Sequence, residues 1–149
     1  MPPLPLSVVL ITYEAADLLP ACLATLDFAD EILVVDSNSQ DATLDIARAG
    51  GARVLTQAWL GYGAQKQFAV QQAKHAWVLC LDADERVSDT LRTHLLQEMV
   101  APYFLPMRCR AATVLWVAGY TMAKDIPIPV YAFFIATMPN GAKIPSMNE

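Results

Sequence analysis

The chain is poor in positive charge. Its 149 residues contain 10 Lys and Arg against 15 Asp and Glu, which gives a formal net charge of −5. Because binding to a nucleic acid backbone requires a basic surface, this composition argues against nucleic acid as a partner. A phosphorylated small molecule would need a metal ion or backbone N–H groups to offset its own negative charge.

Cysteines and long hydrophobic runs are also scarce. The three cysteines have no metal-ligand spacing, and an odd number is typical of a reducing compartment. The N-terminus, MPPLPLSVVLITYE, has no basic segment before its apolar run, so we predict no signal peptide. No uncharged run reaches the ~18–20 residues of a membrane span. We therefore expect a cytoplasmic protein with at most peripheral contact with the inner membrane.

Apolar residues, by contrast, make up 55% of the chain, enough for the core of one domain. Apolar segments rich in β-branched residues predict buried strands at residues 6–12, 32–35, 52–55 and 77–81. Helical spacing predicts helices at residues 15–26, 41–50, 64–74 and 89–100, the second of them capped by Ser39. This alternation predicts an α/β fold with βαβ units and a parallel sheet.

Polar residues follow three of the predicted strands. They are Thr12-Tyr13, Asp36-Ser37 and the stretch Asp82-Ala83-Asp84. Each has a structural alternative, since Asp36 and Ser37 can start a turn and the later acids can be solvated loop residues. In a parallel sheet, however, the carboxyl ends of the strands meet at one edge, where ligands bind. Their convergence predicts a binding site there.

Clustered carboxylates such as those in VLCLDADE repel one another unless a metal ion, an Arg or Lys, or water lies between them. Gly61-Tyr62-Gly63 is a weak dinucleotide signal, because the third glycine is missing. An aspartate-based phosphatase usually has its acid pair on the first strand, not the fourth. The interpretation we favour is a Mg²⁺ or Mn²⁺ ion held by Asp82, Asp84 and a substrate diphosphate, as in the use of a nucleotide sugar.

Four segments in order carry a family resemblance: LSVVLITY, ILVVDSNSQDAT, GYGAQKQFAVQQA and WVLCLDADERVS. Together they resemble family-2 glycosyltransferases with the GT-A, Rossmann-like nucleotide-diphospho-sugar transferase fold. The resemblance is strongest to lipopolysaccharide-core β-1,4-glucosyltransferases. It implies a nucleotide-sugar-binding α/β domain over residues 1–106 and an atypical apolar tail over residues 107–149.

The resemblance also implies which side chains contact the nucleotide sugar: Thr12, Tyr13, Asp36, Ser37, Gln65, Lys66 and Asp82. Thr12 and Tyr13 would line the nucleoside site, and Asp36 would hydrogen-bond the base or ribose. The pair at positions 65–66 would approach the diphosphate-sugar. Asp82 and Asp84 would hold the divalent cation. One departure is that Glu14 stands where the family usually has Asn.

The implied function is transfer of a hexose, glucose, from a UDP-sugar donor to a lipopolysaccharide core acceptor. An inverting transfer needs a carboxylate base that takes the proton of the acceptor hydroxyl. The only acids after residue 100 are Asp125 and Glu149, and neither is a convincing base. The alternative is a non-catalytic nucleotide-binding remnant that lacks the acceptor site and the base.

The tail departs from the pattern of the first hundred residues. Residues 111–123 carry no charge, residues 126–139 are apolar and interrupted by prolines, and neither segment has a clear period. We predict that the tail is translated out of frame from a shift between about residues 108 and 111. Joining the third base of each codon to the first two of the next permits R-N-R-F, Y-P-D, R-L-F and E-D-P-V-H-E. These strings resemble the family's continuation, including an acidic pair that would supply the base. The alternative is a divergent apolar C-terminus that packs on the sheet or touches the membrane.

Overall fold

The computed structural model describes residues 5–75, 77–100, 114–117 and 132–136. Strands and helices alternate along the first hundred residues, as the sequence predicts. In chain order the elements are β1 (Leu6–Thr12), α1 (Leu19–Leu23), β2 (Glu31–Asp36), α2 (Thr43–Ala49), β3 (Arg53–Thr56), α3 (Tyr62–Gln72), β4 (Trp77–Asp82), α4 (Asp89–Val100), β5 (Val114–Val117) and β6 (Ala132–Ala136).

The strands form one sheet in the order β3-β2-β1-β4-β6-β5. β1 lies between β2 and β4 and is parallel to both, with Val9 opposite Leu33 on one side and Cys80 on the other. Every residue of β1 is buried, which is the burial expected of a central strand in a parallel sheet. The predicted α/β fold with a parallel sheet is therefore confirmed.

Alternate residues of the central strands enter two separate cores, because successive side chains of a strand point to opposite faces. Val8 and Leu10 pack on the face that carries α1, α2 and α4, together with Leu19, Leu91 and Leu95. The opposite face packs against α3 and contains Val9, Ile11, Leu33, Val35, Ala69, Val70, Val78 and Cys80. The sheet thus lies between two helical layers, which leaves its carboxyl edge as the place for polar side chains.

Two details of the helices differ from the sequence prediction. The helix predicted from residue 15 begins at Leu19, because the N–H groups of Leu18 and Leu19 both donate to the carbonyl of Ala15 in a turn. Pro20 then stands in the first turn of α1, where its missing N–H is tolerated. The predicted cap by Ser39 is wrong, because α2 begins at Thr43 after Ala42 and has no side-chain cap.

A buried carboxylate joins the strands at the opposite, amino edge of the sheet. Glu31 accepts hydrogen bonds from the Ser7 hydroxyl, the Lys74 N–H and the guanidinium of Arg53. Burial raises the pKa of the Glu31 carboxyl, but these donors outweigh burial, so the pKa lies below its usual value of 4.5. The network fastens the connection between α3 and β4 to the three neighbouring strands.

β5 and β6 lie in the tail, where the sequence predicts irregular structure. They are antiparallel to each other, and β6 pairs antiparallel with β4 beyond the parallel strands. Pairing satisfies the backbone groups that an edge strand would leave open. The other predictions for the tail, including the out-of-frame hypothesis, lie outside the described residues. Within the part of the chain that the structure describes, no helix is long and apolar enough to cross a membrane.

Candidate functional site

A pocket of about 400 Å³ opens at the carboxyl edge of the sheet. Its wall combines the ends of β1 and β4 with the loop before α3. The lining residues are Ile11, Tyr13, Glu14, Ala15, Leu18, Trp59, Tyr62, Asp82, Ala83 and Asp84. Of the side chains predicted from the sequence, the pocket therefore includes Tyr13, Asp82 and Asp84, which come from different strands. Ligands of open parallel sheets bind at this kind of edge.

The acidic end of the pocket is a tight turn after β4. The N–H of Glu85 donates to the Asp82 carbonyl at 3.0 Å, and the N–H of Asp82 donates to the Glu85 carboxylate at 2.9 Å. These two reciprocal hydrogen bonds fix the turn that carries Asp84, whose side chain is exposed. Glu85, the third acid of the same stretch, thus has a structural role that its place in the sequence does not indicate.

Lys66 offsets part of the clustered negative charge. Its Nζ lies 3.0 Å from Oδ1 of Asp82, an ion pair between side chains that are both partly buried. Oδ1 of Asp82 is buried, so solvent screens this ion pair only partly. Burial raises the pKa of Glu85, and the charges of Asp82 and Asp84 raise it further. A lysine therefore offsets part of the repulsion between the clustered carboxylates, which is one of the three possibilities named from the sequence.

The pocket also fits a divalent cation. Among the described residues, no group of three or more His, Cys, Asp or Glu side chains has a metal-binding arrangement. Mg²⁺ and Mn²⁺, however, are commonly held by one or two carboxylates together with substrate phosphates and water. Oδ1 of Asp82 is buried against the Lys66 ammonium, and the Asp84 side chain is open to solvent. These two side chains suit a cation whose remaining ligands come from a bound diphosphate.

Asp36 lies at the end of β2 and points into the protein. Its carboxylate is fully buried and accepts hydrogen bonds from the Thr12 hydroxyl at 2.8 Å, the Ser39 hydroxyl at 2.6 Å and the Ser39 N–H at 2.8 Å. This explains why Ser39 does not cap α2. Asp36 and Thr12 therefore fasten the ends of β1 and β2 together, and their predicted contacts with the nucleoside stay predictions.

Gln65 and Lys66 are neighbours on α3 with different surroundings. Gln65 is fully buried, and its amide nitrogen donates to the Ser37 hydroxyl at 3.1 Å and to the Gln57 carbonyl at 3.2 Å. Its amide oxygen accepts from the N–H of Leu60 at 3.2 Å. Lys66 alone of the pair reaches the acidic turn. The contacts of Gln65 and Ser37 with the nucleotide sugar stay predictions, and in the structure both side chains have protein partners.

Two aromatic side chains form a part of the pocket that sequence analysis did not identify. Trp59 and Tyr62 flank Gly61, and their rings meet edge to face with centroids 4.9 Å apart. Gly61 has a φ of 96°, a conformation that glycine adopts without steric cost. Tyr62 stands within the GYG segment and Trp59 just before it, but neither composition nor spacing indicates that their rings meet.

Glu14 occupies a strained position beside the pocket. Its φ is 44°, in the left-handed region that disfavours most side chains and is tolerated best by Gly, Asn and Asp. The family resemblance places Asn at this position. The departure therefore has a backbone consequence as well as a chemical one, because Glu14 also lines the pocket.

This chain is similar in sequence to known glycosyltransferases. The profile of "Glycosyl transferase family 2" matches residues 7–117. An uncharacterized glycosyltransferase of Rickettsia bellii is 44% identical over 82 residues, which are 55% of this chain and 28% of that protein. The lipopolysaccharide core biosynthesis glycosyltransferase LpsC of Rhizobium meliloti is 36% identical over 125 residues, which cover 80% of this chain and 46% of LpsC. The chain thus spans less than half the length of these two relatives.

Solved structures give the same assignment for the fold. S. aureus TarS in complex with UDP-GlcNAc superposes with a TM-score of 0.52 and 28% sequence identity. The superposition covers 61% of this chain and 30% of TarS. The GT-A fold predicted from the sequence is therefore confirmed for the superposed part of the chain.

Proposed function

The chain belongs to glycosyl transferase family 2, and on that premise we propose that it binds a UDP-sugar and transfers the hexose, glucose, to a lipopolysaccharide core acceptor. The observation that carries this proposal is the meeting of Tyr13, Asp82 and Asp84 in one pocket at the carboxyl edge of the sheet. A nucleoside diphosphate needs both an apolar surface for its base and a charge-compensated site for its phosphates.

One related protein supports the proposed donor, and another supports the proposed acceptor. TarS, which shares the fold, was solved with the nucleotide sugar UDP-GlcNAc. LpsC, which is similar over most of this chain, takes part in lipopolysaccharide core biosynthesis. We propose a cytoplasmic protein with at most peripheral contact with the inner membrane. We assign donor binding to residues 1–106.

In the proposed reaction the bond from the sugar's C1 to the diphosphate oxygen breaks, and a bond from C1 to the acceptor oxygen forms. UDP is the leaving group, and the acceptor hydroxyl gives its proton to a carboxylate base. Asp82 and Asp84 would hold a Mg²⁺ or Mn²⁺ ion, which when bound neutralises charge on the leaving diphosphate. Lys66, 3.0 Å from Asp82, adds a second positive charge near the same phosphates.

A second candidate is a nucleotide-binding remnant without transferase activity. It is favoured by the scarcity of acids after residue 100, where only Asp125 and Glu149 occur. In that case the chain would retain the donor pocket and lack a base for the acceptor. Both candidates require UDP binding, and only the first requires turnover.

Calorimetry with UDP and UDP-sugars, with and without Mn²⁺, tests the shared requirement. We expect UDP to bind more tightly in the presence of Mn²⁺. A chain that binds no UDP under either condition contradicts both candidates. Release of UDP from UDP-glucose in the presence of a lipopolysaccharide core acceptor then separates the enzyme from the remnant.

A further inference from the structure

We propose that Trp59 and Tyr62 form an aromatic wall that stacks on the nucleobase of the donor, and that Gln65 is the positioning residue that holds this wall. The proposal deepens the proposed function, on which it rests. It assigns base recognition to the loop before α3, whereas the family resemblance implied Thr12, Tyr13 and Asp36 at the ends of β1 and β2.

The rings of Trp59 and Tyr62 are exposed to solvent. Trp59 is 50% exposed and Tyr62 is 73% exposed, although both are large apolar side chains. Tyr13, on the loop after β1, is 62% exposed and lines the same pocket. Exposed aromatic residues grouped around a cavity mark a binding surface more often than scattered ones do. The wall and Tyr13 therefore line one space that is open to a ligand.

The loop that carries Trp59 is anchored by hydrogen bonds with the Gln65 side chain. The Gln65 side chain makes hydrogen bonds to residues on both sides of Trp59, through the carbonyl of Gln57 and the N–H of Leu60. Its third hydrogen bond, to Ser37, ties the loop to the end of β2. A buried amide with three protein partners fixes its surroundings, because losing any partner would leave a buried polar group unsatisfied. The main-chain position of Trp59 is thus fixed before ligand binds.

The chemistry of the aromatic wall favours a nucleobase as its ligand. The pocket that contains the wall has apolar side chains, Ile11 and Leu18, as well as the acids Glu14, Asp82 and Asp84. The flat faces of the rings suit a planar nucleobase, whereas the acids suit hydroxyl groups and a cation-bound diphosphate. A planar base loses little there and gains stacking, which contributes about 1–3 kcal/mol per base. The acids of the same pocket then receive the diphosphate that is attached to that base through ribose.

Binding of UDP, uridine and inorganic pyrophosphate, each with Mn²⁺, tests the wall by calorimetry on the full chain. For Trp59→Ala we expect UDP and uridine to bind about 5- to 150-fold more weakly, the loss that corresponds to this stacking energy. Pyrophosphate binding stays unchanged. Trp59→Phe, which keeps an aromatic face, should recover most of the affinity. Leu60→Ala is the matched control, because Leu60 is equally exposed at 50% but does not line the pocket.

Gln65→Ala tests the positioning role, since Gln65 does not line the pocket. We expect it to weaken UDP and uridine while leaving pyrophosphate unchanged, and to reduce the change in Trp59 fluorescence that UDP causes. Trp59→Phe identifies which part of the fluorescence signal belongs to Trp59. Retention of full uridine affinity and the full fluorescence change in Gln65→Ala would overturn the positioning role.

These measurements distinguish failure of the aromatic-wall proposal from failure of the proposed function. If Trp59→Ala binds UDP as tightly as the unmodified chain, the wall is refuted while the acidic site and the donor proposal stand. If Trp59→Ala weakens pyrophosphate as much as UDP, the variant has disturbed the acidic turn, and stacking on the base is likewise refuted. If the unmodified chain binds pyrophosphate but neither uridine nor UDP, both the wall and the UDP-sugar proposal fail.

Discussion

Replacing Asp36 tests whether a predicted ligand-binding carboxylate is first a structural one. Alanine removes the acceptor of three hydrogen bonds, two from hydroxyls of Thr12 and Ser39 and one from the Ser39 N–H. The hydroxyls can rotate towards other acceptors, so each costs about 1 kcal/mol, whereas the buried N–H is left unsatisfied at about 1–3 kcal/mol. We therefore expect Asp36→Ala to lower the free energy of unfolding by about 3–5 kcal/mol.

Urea denaturation followed by circular dichroism measures this difference. Asp36→Asn keeps one carbonyl oxygen for the hydroxyls but turns an amide NH₂ towards a donor, so we expect an intermediate loss of about 1–3 kcal/mol. Asp45→Ala is the control, because the Asp45 side chain is 87% exposed and pairs only with an exposed Arg48. Its effect should be below about 0.5 kcal/mol.

A loss below about 1 kcal/mol for Asp36→Ala would refute the structural role derived from these contacts. The ligand role is measured separately, with uridine and UDP at a temperature where the variant is folded. We predict that Asp36→Ala weakens both ligands, because the predicted contact is to the base or ribose. Weakening of UDP alone would contradict that contact.

Further predictions address the metal, the strained loop, the buried network and the tail. Asp84→Ala should abolish the dependence of UDP affinity on Mn²⁺, because the cation loses a direct ligand; equal UDP affinity with and without Mn²⁺ in the unmodified chain would rule out the metal bridge. Glu14→Asn should raise the free energy of unfolding by about 0.5–1 kcal/mol, since Asn tolerates the left-handed conformation at lower cost, and an unchanged urea midpoint would contradict that strain. The folded-state pKa of Glu31 lies below its usual value of 4.5, so its contribution to stability is present above about pH 4.5 and is lost as the pH falls through the lowered pKa. Glu31→Gln should therefore flatten the acid limb of stability measured by urea denaturation between pH 7 and 3, and an unaltered acid limb would argue against the network. Sequencing the coding DNA tests the out-of-frame hypothesis for the tail; if restoring one base near codon 110 opens no longer frame, the hypothesis is wrong.

The sequence alone determined the four parallel strands and the place of their polar edge. An uninterrupted apolar segment such as residues 6–12 can be satisfied only by burial on both faces, and this local property predicted the central strand β1. Because parallel strands end at the same edge, the positions of Tyr13, Asp82 and Asp84 in one pocket followed from where their strands stop. These inferences depend on neighbouring residues only, which a sequence displays directly.

Tertiary structure decided which polar side chains line the pocket and which bond to the protein. Asp36 bonds to Thr12, which lies 24 residues away, and Gln65 bonds to Ser37, which lies 28 residues away. Such pairings depend on how loops from separate strands meet, and neither composition nor spacing encodes that meeting locally. The aromatic wall could not be predicted from the sequence for the same reason. Trp59 and Tyr62 belong to the pocket only because the loop before α3 lies beside the ends of β1 and β4. A local pattern specifies burial along a strand, but hydrogen-bond partners are specified by the packed chain.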